Sequence, residues 1–220
     1  MTSSLVDRWA QLRDELPASA RLLAVSKGHP AVSIRVLAQQ GQRAFGESRL
    51  QDALPKQEEL ADLNLQWHFI GRLQSNKVRA VVRAFPVIHS VDSLALAERV
   101  SRIAAEEGVV PSVLLQVKLR PDPSKGGFDP DQLQTVWPQL SGLPSIQLVG
   151  LMTMAPLDCP VNDRQALFRE CRELADQLAL PECSMGMSGD WRDAAAAGST
   201  WLRLGSALFG ARPVSTPAMG

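Results

Sequence analysis

Short apolar runs recur along the chain with longer segments of a different pattern between them. The runs are RLLAVS (21–26), QRAFGES (42–48), QWHFIG (66–71), PVIHSVD (86–92), SVLLQVKL (112–119), QLVGLMTM (147–154), ECSMGMS (182–188) and WLRLGSAL (201–208). In the first, Leu22, Leu23, Ala24 and Val25 follow one another and leave no polar face for water, as in a strand covered on both sides. The intervening segments carry helical spacing. SLALAERVSRIAAEEG (93–108) repeats Leu94, Leu96, Ala97, Val100 and Ile103 on one side and stops at a glycine. A helix also precedes the first strand, with Ser3 or Ser4 as its cap and Leu5, Trp9, Leu12 and Leu16 on one face. Strand then helix, eight times over, predicts a single α/β domain, a (β/α)8 TIM barrel spanning 1–220. A doubly wound open sheet shows the same alternation, and the count of eight favours closure. The polar stretch RPDPSKGGFDPDQ (120–132) reads as a loop after the fifth strand, and the end of the chain from about 213 as a frayed tail.

Charge and composition remove several classes of function. The 23 basic and 23 acidic residues cancel, so no net field draws the protein to nucleic acid or to an anionic membrane. No segment reaches the roughly 18 consecutive apolar residues of a membrane span, and the first residues lack a signal-peptide core. Cys159, Cys171 and Cys183 form neither a paired framework nor a C-x-x-C site, and read as reduced thiols of a cytoplasmic protein. The basic segment LQSNKVRAVVR (73–83) reads as a solvated helix face, and His68 and His89, inside apolar runs, as core histidines with partners. Neither nucleotide-binding glycine pattern occurs.

In barrels of this type the chemistry lies at the carboxyl ends of the strands. Those ends carry Lys27, Glu47 with Ser48, Gly71, Asp92, Lys118, Met152, the SMGMSGD run, and Arg203 with Gly205 and Ser206. Lys27 is the candidate nucleophile, since an amine in a barrel mouth can condense with an aldehyde. Ser184, Gly186 and Ser188 precede a helix capped by Ser188 or Asp190, and Gly205 and Ser206 open another. Small residues at two helix starts suit a phosphate, and loops after strands seven and eight are where barrels bind one. An amine facing such a cradle, with Arg203 beside it, is what a pyridoxal phosphate (PLP) site requires.

The motifs AVSK, FGES, WHFIGRLQSNKVR, IHSVDSLALAERV, LLQVKLRPDPSKGGF, GLMTM, SMGMSGDWRDAAAAGS and RLGSALFGAR, in order from about 21 to 212, resemble those of the pyridoxal phosphate homeostasis protein family. These are single-domain relatives of the alanine racemase barrel. The resemblance implies a barrel of that type and a role in vitamin B6 homeostasis without established catalysis. It implies PLP held as a Schiff base on Lys27, Arg203 against the pyridine nitrogen, and phosphate contacts from the loop of Ser184, Met185, Gly186 and Ser188 together with Gly205 and Ser206. Met152 is expected near the ring, and Ser48 beside the cofactor. The family usually reads FGEN where this chain has Ser48, and SKTKP where it has SKGHP with His29.

Two further observations bear on turnover. The chain contains no tyrosine, whereas racemase relatives oppose a tyrosine to the lysine. A permanently charged arginine also disfavours protonation of the ring nitrogen and weakens the ring as an electron sink. The expectation is a monomeric PLP carrier of the cytoplasm that serves PLP-dependent apoenzymes or B6-pathway proteins. A PLP-dependent amino-acid racemase is the alternative, and an interaction protein that reports B6 status is a third reading.

Overall fold

Eight buried runs become eight parallel strands because each must hide both faces, and only closure leaves no edge exposed. The computed structural model describes residues 4–122 and 125–211. The strands are β1 (Arg21–Val25), β2 (Ala44–Glu47), β3 (Gln66–Phe69), β4 (Val87–Val91), β5 (Ser112–Gln116), β6 (Gln147–Met152), β7 (Glu182–Met187) and β8 (Trp201–Leu204). They pair in sequence order, and β8 returns to β1 with Arg21 opposite Trp201 and Leu23 opposite Arg203. The expected barrel, rather than an open sheet, is what the chain forms. The tail from 213 lies outside the described residues, as do Ser3 and positions 123 and 124 in the loop after β5.

The helices around it are α1 (Leu5–Glu15), α2 (Ala31–Gln39), α3 (Leu50–Glu59), α4 (Val78–Ala84), α5 (Leu94–Glu107), α6 (Pro130–Ser141), α7 (Val161–Gln177), α8 (Trp191–Ala196) and α9 (Ser206–Phe209). Their ends follow local chemistry. Ser4 caps α1 in a reciprocal box with Asp7, Ser93 caps α5, and α5 stops at Gly108 in the left-handed region, φ +67°. On α4, Arg79 pairs with Glu106 and Glu107 of α5, and Arg83 with Glu107 at 2.5 Å, so these charges form an ion-paired face. The three cysteines are free thiols, and no helix among the described residues is long and apolar enough to cross a membrane.

The polar stretch after β5 is tied down more firmly than its composition predicts. Val117 bridges Phe128, the Lys118 N–H donates to Phe128 O, and the Phe128 ring is buried. Strands and helices share one continuous apolar layer. The barrel interior is different: Leu23, Ala44 and Trp201 form one small cluster, Val87, Leu114 and Met152 another, and the buried polar residues His68, His89, Ser184 and Arg203 share the remaining space.

Candidate functional site

A cavity of about 430 Å³ opens at the carboxyl ends of the strands, a size that suits a small cofactor. Its wall includes Lys27, Ser48, Ser188, Arg203, Gly205 and Ser206, all expected from sequence. It also includes His29, Ile70, Met154 and Met187. Lys27 stands exposed in the turn that follows β1. Beside it, His29 is buried and stacks flat on Phe209 of α9, with ring centroids 4.6 Å apart.

The turn carrying Lys27 rests on a buried charge. Glu47, at the end of β2, accepts from Ser26 Oγ and from Lys56 Nζ, each at 2.7 Å through Oε1, and Lys56 Nζ also donates to Ser26 O at 3.0 Å. Glu47 is fully buried, and its second oxygen, Oε2, has no hydrogen-bond partner. Gly71 lets the chain pass at this point: a Cβ there would lie 2.0 Å from Ser48 O.

Arg203 points into the barrel below the cavity. Its Nη1 donates to Ser184 O at 2.6 Å and Ser184 Oγ at 2.8 Å, and Nη2 donates to Thr153 O at 2.9 Å. Burial pushes its pKa down to about 10, so the guanidinium stays charged at neutral pH.

Four expected contacts lie away from the cavity wall. Ser184 is fully buried and spends its hydroxyl on Arg203 and His89. Met185 packs in the layer between barrel and helices, and Gly186 faces α8. Met152 sits one layer deeper, against Val87 and Leu114. The physical reason is a register shift in β7 between Ser184 and Met187, where Gly186 takes φ +90°. Ser184 faces inward and Met185 outward, the strand kinks, and Met187 rather than Gly186 arrives at the mouth. On β6 the inward side continues two residues past Met152 to Met154. A glycine between two methionines was the available signal for the kink.

The helix starts also differ from expectation. Ser188 does not cap α8; its Oγ accepts from the Ala207 N–H at 3.1 Å and so stitches the β7 loop to the first turn of α9. Asp190 precedes α8 but turns its carboxylate back to the Met187 N–H at 2.5 Å. Since α9 is only four residues long, an anion here would depend on hydroxyls and N–H groups more than on a helix dipole.

An amine, a buried guanidinium and a hydroxyl-rich turn around one barrel mouth define a class: a (β/α)8 barrel whose mouth suits a small anionic ligand. Residues 2–213 match the family described as alanine racemase, N-terminal domain. A "Pyridoxal phosphate homeostasis protein" of Synechocystis is 47% identical over 211 residues, 93% of this chain and 97% of that one. Another of the same name, from Pseudomonas aeruginosa, is 44% identical over 95% of this chain and 92% of its own. The solved structure of PipY from Synechococcus elongatus with PLP bound superposes with a TM-score of 0.90 at 51% identity, covering 94% of this chain and all of that one. A Clostridium difficile alanine racemase, 18% identical with a TM-score of 0.74, shares the fold over 57% of its length. The chain belongs to the pyridoxal phosphate homeostasis protein family, on the alanine racemase N-terminal barrel.

Proposed function

We propose that this protein binds PLP in the mouth of the barrel and takes part in vitamin B6 homeostasis, holding and releasing the cofactor without efficient turnover. The observation that carries the reading is the meeting of Lys27, Arg203, Ser188, Gly205 and Ser206 at one cavity of cofactor size. Lys27 is the attachment point for the aldehyde. Ser188, Gly205 and Ser206 hold the phosphate, and Arg203 faces the pyridine nitrogen. Ser48 supplies a hydroxyl toward the ring where relatives carry an amide, and Met154 and Met187 give the ring apolar contact. Bound PLP supplies a reactive aldehyde on an electron-withdrawing ring. The chain's own groups orient it and keep its phosphate paired. The protein acts as a monomer of the cytoplasm, and its recipients are PLP-dependent apoenzymes or B6-pathway proteins.

Titration with PLP followed by borohydride reduction and peptide mapping tests the reading. The adduct is expected on Lys27. Lys27→Ala is expected to abolish it while changing unfolding free energy by less than about 0.5 kcal/mol, because the residue is exposed. An adduct on Lys118 or Lys125 instead, or no PLP binding at all, overturns it.

A further inference from the structure

The Arg203 guanidinium is held from behind by a chain of buried polar groups. Ser184 Oγ, 2.8 Å from Arg203 Nη1, is also 2.9 Å from His89 Nδ1, and His89 Nε2 is 2.8 Å from His68 Nδ1. Strands β8, β7, β4 and β3 contribute one residue each, and all four are buried. The directions follow from the member that has no choice. An arginine only donates, so Ser184 Oγ accepts from it. The hydroxyl proton then goes to His89 Nδ1, the remaining hydrogen-bond contact of that oxygen among the described residues. His89 therefore carries its proton on Nε2 and donates to His68 Nδ1, which puts the proton of His68 on Nε2 as well. That nitrogen is buried without a hydrogen-bond partner, and the ring packs edge-on against Trp201, 4.7 Å between centroids.

Desolvation keeps both rings neutral. It takes His68 to about 3, with the Arg21 charge adding to it, and it takes His89 well below the ordinary value, helped by His68 and Arg203. Barrel centres are ordinarily filled by branched apolar side chains, and buried polar groups carry a desolvation cost. No carboxylate forms an ion pair with Arg203 among the described residues. A carboxylate would orient the guanidinium but cancel its charge, whereas a neutral chain orients it and leaves the charge directed at the cavity.

We propose that His89 is a positioning residue of the cofactor site: through the Ser184 hydroxyl it fixes Arg203 so that the guanidinium N–H groups not used by Ser184 and Thr153 meet the ring nitrogen, and His68 sets the tautomer of His89. The role toward the ring rests on the PLP reading above, while the relay itself stands without it.

The experiment has two arms. In the cofactor-free protein, ¹⁵N-resolved spectra of the histidine rings are expected to show His68 and His89 neutral and protonated on Nε2 down to pH 5. A His89 protonated on Nδ1 overturns the relay. In the second arm PLP labelled with ¹⁵N at the ring nitrogen is added to wild type, Ser184→Ala, His89→Phe and His89→Asn. Loss of the relay is expected to move the ring-nitrogen resonance in Ser184→Ala and His89→Phe and to raise the PLP Kd about fivefold, the equivalent of one hydrogen bond. His89→Asn keeps an acceptor where Nδ1 stands and is expected to restore the wild-type resonance. Ser184→Ala removes a single oxygen and serves if His89→Phe fails to fold. An unmoved resonance in Ser184→Ala overturns the positioning role. Failure of wild type to bind PLP overturns the functional reading, and the tautomers in the first arm still decide the relay.

Discussion

Glu47 shows how a single residue governs the site without touching it. Its carboxylate is buried beneath the Lys27 turn and is balanced by Lys56 and by the Ser26 hydroxyl. Removing the cation leaves the carboxylate buried and uncompensated, a situation that costs about 3–5 kcal/mol. Lys56→Ala is therefore expected to lower the urea unfolding free energy by that amount. The double change Glu47→Gln with Lys56→Met is expected to recover most of it, since a buried pair replaced as a unit costs little. A Lys56→Ala protein as stable as wild type would show that Glu47 is hydrated. Lys27 and Arg203 were legible in sequence because each stands at a strand end beside turn-formers. Lys56 was not: it lies nine positions after Glu47 on a helix whose exposed face carries other charges, and no local pattern marks the one that turns inward.

At the scale of an element, β7 carries the largest difference between expectation and structure. Read as a regular strand, ECSMGM assigns Ser184 and Gly186 to one side and Met185 to the other. The shift at Gly186 breaks that alternation and gives the barrel interior Ser184 and then Met187. Only glycine fits there. At φ +90° an added Cβ would lie 2.6 Å from Ala194 Cβ, 2.9 Å from Leu202 Cδ2 and 3.1 Å from Trp191 Cα. Backbone strain of about 1–3 kcal/mol and overpacking of about 1–3 kcal/mol both apply to Gly186→Ala. The expected loss is about 2–6 kcal/mol in denaturant unfolding, accompanied by weaker PLP binding as Met187 and Ser188 move. An unchanged stability would mean that β7 runs regularly and that Gly186, not Met187, follows Ser184 on the inward side. Helices were more legible than this strand, because α5 declares itself by spacing and by the caps Ser93 and Gly108, whereas a register shift is a tertiary adjustment to the packing of α8.

For the molecule as a whole, the strand count, order and ends followed from the sequence because buried parallel strands are apolar throughout and are punctuated by turn residues. The contents of the barrel did not, since residues from β3, β4, β7 and β8 meet only after closure. That closed interior also bears on turnover. Moving a proton across an α-carbon takes an acid and a base on opposite sides of it. Among the described residues, the ionisable side chains at the cavity wall are Lys27, His29 and Arg203. Arg203 remains a cation at neutral pH and donates to Ser184 and Thr153. The sequence has no tyrosine, and His29 is held flat against Phe209. Among the described residues Lys27 thus has one potential opposite group, in a ring committed to stacking. In deuterated water with PLP and a panel of amino acids, α-proton exchange is expected to run at least about a thousandfold below the 1–1,000 per second of ordinary enzymes. Exchange at enzymatic rates, lost in Lys27→Ala and also in His29→Gln, would make the protein a racemase-type enzyme with His29 as its second base.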